Sequence, residues 1–169
     1  FHMPRKPLVS VTMPAYNVER YIARAVESIL NQTFKNFELI IINDASEDGT
    51  LEILRGYQRL DKRIRVFNNE EHLRIAASLN KAVSLARAEI IARMDADDIS
   101  QPNRLELQYL FLQKNPDIAV VGANIIIIDK DSKQISKREY PQTSENLKKV
   151  MFRYSPFAHP VVMFRKKIF

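Results

Sequence analysis

Three carboxylates, Asp95, Asp97 and Asp98, stand within four residues at the end of the segment Glu89-Ile-Ile-Ala-Arg-Met-Asp95-Ala-Asp97-Asp98. Carboxylates so close repel one another and raise each other's pKa unless a cation or hydrogen-bond donors hold them. Asp-x-Asp after an apolar strand therefore points to a hard divalent cation, Mg²⁺ or Mn²⁺, of the kind that also binds substrate phosphates. The alternative is a polar turn before a helix, with Asp98 or Ser100 as N-cap ahead of Pro102.

The surrounding pattern alternates strand and helix. Val9 to Met13 is β-branched and apolar, and Pro14 is expected to interrupt it. Ile22, Ala23, Val26, Ile29 and Leu30 share one helical face, with Asn17 as a candidate cap. Glu38 to Ile42 reads as a buried strand, Asp48-Gly49-Thr50 as a helix start, and Ile64 to Phe67 as a third strand. Ile75 to Ala86 carries helical spacing, Ile90 to Met94 is a fourth strand, and Pro102 opens a fourth helix. Ile118 to Val121 and Ile125 to Ile128 are expected as one long or bulged strand around Gly122. A basic strand over Gln134 to Tyr140, a helix from Ser144 to Phe152 and an apolar end at Val161 to Phe164 complete the reading.

Apolar strands separated by helices imply a largely parallel α/β sheet covered on both faces. Ligands of such sheets sit beyond the carboxyl ends of the strands. The first, second and fourth strands end in Tyr16-Asn17, Asn43-Asp44 and Asp95 to Asp98, so these ends are expected to meet in one crevice. Only three glycines occur, Gly49, Gly56 and Gly122, and neither G-x-G-x-x-G nor a P-loop can be built from them. Phosphates would have to be held by a metal and basic residues. Tyr16 could stack on a base and Asp44 could accept from a ring N–H; the alternatives are a helix-entry staple and a turn residue.

With 169 residues, 46% of them hydrophobic and 27% charged, the chain can bury one sizeable core and has an ordinary globular composition. The absence of cysteine excludes disulfides, thiolate metal sites and cysteine nucleophiles. Phe1-His2-Met3 reads as a cloning remnant, residues 1–6 are expected as a disordered start, and 7–169 as a single domain. No apolar stretch reaches the ~20 residues of a spanning helix. The net charge is +6; from Lys130 onward ten Lys or Arg meet three Asp or Glu, +7, which leaves −1 for everything before. Such a basic third suits a membrane surface, a phosphorylated substrate or plain solvation. No nucleic-acid motif accompanies it, so nucleic acid is not an expected partner.

Five segments occur in order: Val9-Ser-Val-Thr-Met-Pro-Ala-Tyr16-Asn17, Glu38-Leu-Ile-Ile-Ile-Asn-Asp44-Ala-Ser-Glu-Asp48-Gly49-Thr50, Ile75-Ala-Ala-Ser-Leu-Asn80-Lys81-Ala, Met94-Asp95-Ala-Asp97-Asp98 and Ala158-His159-Pro160-Val-Val-Met163-Phe164-Arg165. Together they resemble family 2 glycosyltransferases of the GT-A fold, from Leu8 onward. The resemblance implies a Rossmann-like sheet, a nucleotide-diphosphate-sugar donor, a glycan or lipid-linked acceptor, an inverting transfer, Mn²⁺ or Mg²⁺, and a role in polysaccharide and cell-envelope synthesis. By its pattern Pro14, Ala15 and Tyr16 line the base, commonly uracil, and Asp44 bonds its edge. Asp95 approaches the ribose or metal, Asp97 holds the metal and Asp98 assists. The expected location is cytoplasmic, peripheral at the membrane face.

Two departures stand out. Many members carry Asn-x-Gly where this chain has His72-Leu73-Arg74; Arg74 is expected to contact the nucleotide, and His72 to be a surface loop residue. The family's general base, a carboxylate beyond the His-Pro segment, has no counterpart before Phe169, so the chain is expected to be a donor-binding portion whose base lies downstream. His159 is a weak candidate on the acceptor side. Competing readings are a non-catalytic nucleotide-binding module and a sugar nucleotidyltransferase; the latter lacks its glycine-rich loop.

Overall fold

The computed structural model describes residues 6–168. The expectation of a disordered start concerns residues 1–5, which lie outside the described residues, and Lys6, which sits 3.1 Å from Glu89 Oε1.

Four strands, β1 (Val9–Ala15), β2 (Phe37–Asn43), β3 (Ile64–Asn68) and β4 (Ile90–Arg93), pair in parallel in the order β3-β2-β1-β4. Helices α1 (Ile22–Leu30), α2 (Thr50–Leu60) and α3 (Arg74–Leu85) make the crossovers, and α4 (Arg104–Lys114) follows β4. The period of two along β2 sorts its side chains. Leu39 and Ile41 pack with Val26 and Ile29 of α1 and with Leu105 and Leu112 of α4. Ile40 and Ile42 pack with Ala82 and Val83 of α3 on the other face. Every residue of β2 is therefore buried, as a sheet covered by helices on both sides requires.

Past α4, a short strand β5 (Val120–Val121) is followed by a hairpin of β6 (Ile125–Ile128) and β7 (Gln134–Arg138), helix α5 (Ser144–Val150) and strand β8 (Met163–Arg165). β8 lies antiparallel between β4 and β5 and widens the main sheet to six strands. The single bulged strand expected over 118–128 is thus two strands in two sheets. They part at Gly122, where a Cβ would lie 2.7 Å from the Phe157 ring, so the chain passes Phe157 only with a glycine there.

Three smaller expectations change. β1 runs through Pro14 to Ala15; its ladder to β4 ends at Thr12↔Arg93, so a residue without an N–H costs no bond on that side. α1 starts at Ile22 without a side-chain cap, and Asn17 does other work described below. α4 begins at Arg104, with neither Asp98 nor Ser100 capping it; Ser100 Oγ instead accepts from Gln32 Nε2 and Arg104 Nε.

Candidate functional site

Parallel strands in register bring their carboxyl ends to one edge. Ala15 lies opposite Asn43, and Asn43 opposite Asn68. Asp44 N–H donates to the Ala15 carbonyl, and Met94 N–H to that of Thr12. The chain leaves β1, β2 and β4 at one edge and encloses a crevice of about 430 Å³, within the range of small-ligand sites. Its lining includes Pro14 and Ala15 of β1 and Tyr16 just after it, Asp44 just after β2, Arg74 at the start of α3, and Asp95 and Asp97 in the loop after β4. These expected residues are brought together. Asp98 and His159 are not in the lining. A larger depression of about 620 Å³ lies behind the β3–α3 loop, but it has neither a ring face nor a strand-end aspartate.

The two loops at the front are tied to each other. Asn17, at φ 50°, donates its N–H to Ser46 Oγ, and its Oδ1 accepts from Glu47 N–H. Val18 N–H donates to Thr50 Oγ1, and Asp48 accepts from the N–H groups of Glu19 and Thr50. Asn17 thus clamps β1–α1 to β2–α2, and the clamp holds Tyr16, 40% exposed, with its ring toward the crevice.

Asp44 organises the opposite wall. Its Oδ1 accepts from Asn69 Nδ2 at 2.6 Å and Leu73 N–H at 3.0 Å, and its Oδ2 from Arg74 N–H at 2.8 Å. Burial pushes this carboxyl up, but the bonds from Asn69, Leu73, Ser78 and Arg74 outweigh it and hold its pKa below the usual range. Arg74 adopts φ 70°, a conformation that favours glycine; the Asp44 bond to its N–H offsets the ~1–2 kcal/mol cost of that backbone. Arg74 itself lines the crevice.

His72 is, as expected, an exposed loop residue. It also lines the crevice, stacks on Tyr16 with ring centroids 3.9 Å apart, and places Nδ1 3.0 Å from Asp44 Oδ2. Reading Tyr16 and the 72–74 segment as partners on one crevice would have required knowing that α3 begins beside β1.

The carboxylate cluster separates into distinct environments. Asp95 Oδ1 accepts from Arg93 Nη2 at 3.1 Å. Asp97 is exposed. Asp98 also reaches solvent, yet protein crowded around its carboxyl, and then the charges of Asp97 and Asp95, push it up to about 6 against the pull of Arg104 and Arg93. Arg104, which the sequence reading did not single out, props the loop from behind. It is 8% exposed and donates to Ser100 Oγ and to the Arg93 carbonyl, and burial lowers its pKa to about 10. Among the described residues no three acidic or histidine side chains converge around a preformed metal position. The donor set still fits Mg²⁺ or Mn²⁺, which bind through one or two carboxylates and fill the remaining positions with water and phosphate oxygens. Mutual repulsion among the three aspartates is the strain such a cation would relieve.

His159 opens a short 3-10 turn, His159–Val161, against β4. Its Nε2 lies 3.2 Å from Ser155 Oγ, while the Pro160 and Val161 carbonyls accept from Arg104 and Gln108. The His-Pro segment braces α4 and β4.

A doubly covered, mostly parallel sheet with aspartates at the end of its fourth strand defines the GT-A class. Solved structures share it: Staphylococcus aureus TarS in complex with UDP-GlcNAc (TM-score 0.74, 23% identity, 95% of this chain and 46% of that one) and the Pyrobaculum calidifontis mannosyltransferase PcManGT in complex with GDP-Man and Mn²⁺ (TM-score 0.72, 20% identity, 96% and 46%). The model of glycosyl transferase family 2 matches residues 10–169, and the chain belongs to that family. Among curated relatives it is 38% identical over 164 residues to the Escherichia coli O-antigen biosynthesis glycosyltransferase WbnJ, covering 95% of this chain and 63% of WbnJ. It is 38% identical over 134 residues to Escherichia coli chondroitin synthase, covering 79% of this chain and 19% of that one. The chain spans little more than half the length of other curated relatives, 56% of one and 57% of another.

Proposed function

We propose that this crevice binds the nucleoside diphosphate of a sugar donor, with UDP as the preferred nucleotide, and that the protein transfers the sugar with inversion to a glycan or lipid-linked acceptor in envelope polysaccharide synthesis. The convergence of Tyr16, Asp44, Arg74, Asp95 and Asp97 on one crevice at the strand ends carries the reading. Tyr16 offers a ring face and Asp44 an acceptor at the depth of a base. Arg74 offers a guanidinium fork to a diphosphate. Asp95 and Asp97 would hold Mn²⁺ or Mg²⁺, with Asp98 assisting. A bound cation there neutralises charge developing on the leaving diphosphate. Relatives named for O-antigen and chondroitin synthesis support the acceptor class, and neighbours that bind UDP-GlcNAc or GDP-Man support the donor class. Inversion also needs a base to take the acceptor's proton. Within the crevice lining, Asp44 is engaged by its donors and Asp95 by Arg93, so neither is proposed as that base.

Calorimetry tests the site. UDP binding should tighten when Mn²⁺ is added, and Asp97→Ala should remove at least tenfold of that gain, since it deletes the charged ligand least engaged with protein. Equal UDP affinity of Asp97→Ala and wild type in Mn²⁺ would rule out the metal bridge.

We further propose a cytoplasmic protein whose basic third rests on the anionic membrane face. On the β6–β7 hairpin, exposed Ile126, Ile127 and Ile135 lie beside Lys133, Lys137 and Arg138, a pairing that suits a lipid surface. Among the described residues no helix is long and apolar enough to cross a membrane. Cosedimentation with vesicles containing phosphatidylserine is expected at low salt and should be lost at 0.5 M NaCl; no cosedimentation at low salt would eliminate the membrane contact.

A further inference from the structure

His72 makes two contacts at once. Its imidazole lies over Tyr16, centroids 3.9 Å apart and planes tilted by 32°. Its Nδ1 is 3.0 Å from Asp44 Oδ2 and 3.3 Å from the Asp44 carbonyl. With the hydrogen on Nδ1, the ring donates to the Asp44 carbonyl and stands beside the carboxylate Oδ2, while presenting its face to the phenol. A carboxylate accepts about four hydrogen bonds. Asn69, Leu73, Arg74 and Ser78 already engage this one, and His72 Nδ1 occupies the open approach to Oδ2. A base that stacked on Tyr16 and gave a ring N–H to Asp44 would need that same face and the space beside Oδ2 that Nδ1 fills. The imidazole and such a base therefore exclude each other.

We propose that His72 is the resident occupant of the nucleobase subsite. It mimics a base by stacking on Tyr16 and hydrogen-bonding Asp44, and it swings out when a donor base enters. This rests on the nucleotide reading of the crevice given above. The way out is open, because the His72 side chain is 42% exposed and sits in the loop between β3 and α3, so leaving costs little packing. Displacement also sets a chemical requirement on the incoming base. Uracil and guanine carry a ring N–H that replaces the lost bond to Asp44. Cytosine and adenine present a bare ring nitrogen at the corresponding edge and would leave the carboxylate facing an acceptor. His72 thus lowers affinity for every nucleotide, while Asp44 decides which base recovers the difference.

Calorimetry with UDP, GDP and CDP in Mn²⁺ tests this on wild type, His72→Ala and His72→Phe. Removing a competitor held by one net hydrogen bond and a ring contact should tighten UDP on the order of fivefold. Phe, which keeps the ring and loses the N–H, should fall between. UDP and GDP should remain tighter than CDP in all three proteins. The His72 Cε1–H resonance, identified by its loss in His72→Ala, should shift as UDP saturates, because the ring leaves the Tyr16 face. Weaker or unchanged UDP binding by His72→Ala, or a resonance that UDP leaves in place, would overturn the proposal while the nucleotide site stands. Failure of wild type to bind UDP or GDP would overturn both.

Discussion

Glu38→Gln is expected to lower the unfolding free energy by about 3 kcal/mol, the usual cost of breaking a buried ion pair by removing one partner. Glu38 is the second residue of β2 and is 1% exposed. Its Oε1 accepts from Ser10 Oγ at 2.7 Å and Arg87 N–H at 2.8 Å, and its Oε2 from Arg65 Nη1 and Arg87 Nε, both at 2.8 Å. A glutamine fills the same volume but must point an N–H₂ at one pair of donors. Arg65 and Arg87 are partly exposed and can turn to water. The buried Ser10 hydroxyl cannot, so the loss stands at the lower end of the range for such pairs. Burial pushes the Glu38 carboxyl up, yet the bonds from Ser10, Arg87 and Arg65 outweigh it and the net pKa is lowered. A carboxyl whose folded pKa lies below its unfolded value stabilises the fold above the unfolded pKa, and that stability is lost as pH falls through the folded one. Wild type should therefore lose stability from about pH 5 downward, and the gap to Glu38→Gln should narrow. Urea unfolding at pH 7 and pH 4 measures both; coincident midpoints at pH 7 would refute the assignment.

Asp44→Asn should weaken UDP binding about 100-fold, or about 2.7 kcal/mol, while leaving the protein folded. The change is nearly isosteric. However, the donors at Leu73, Arg74 and Asn69 converge on both carboxylate oxygens, and an amide must set its own N–H₂ against one of them. The 72–74 loop then loses its anchor, Arg74 loses the bond that holds its φ of 70°, and the base loses its acceptor. A larger cost than a single hydrogen bond is expected because one side chain both shapes the wall and contacts the ligand. UDP titration against Asp44→Asn, with circular dichroism confirming the fold, is the measurement. Binding within threefold of wild type would show that Asp44 only supports the loop.

The sheet and its order of helices followed from local pattern, because a strand buried on both faces is nearly all apolar and a covering helix is apolar on one stripe. The carboxylates could be read only beside the other strand ends and the ordered motifs, because Asp-x-Asp by itself is equally at home in a polar turn. Pro14, Ala15, Tyr16, Asp44, Arg74, Asp95 and Asp97 were named from spacing and resemblance, and they line one crevice. Elements whose environment depends on distant partners were read less well. Ile118 to Ile128 is continuous in hydropathy, yet its two halves join different sheets because β8, more than thirty residues on, takes up Val120 and Val121, while Ile125 to Ile128 pair with β7. Asn17 resembles a cap in sequence, but its N–H donates to Ser46 Oγ and its Oδ1 accepts from Glu47 N–H, residues close to it only in space.

By itself, then, the sequence determined the architecture, the edge at which ligands would bind and the residue types gathered there, because periodicity and strand-end chemistry are local properties. Only the tertiary structure decided how the cluster divides. Asp95 turns to Arg93, Asp98 has its pKa raised by the protein crowded around it and by its two aspartate neighbours, and Asp97 turns to solvent, although their sequence neighbourhoods are nearly the same. It also decided that His72 lies on Tyr16 and Asp44. Those contacts join residues 28 and 56 positions apart. Their energies depend on distance and burial, and sequence spacing encodes neither once the chain has crossed the sheet.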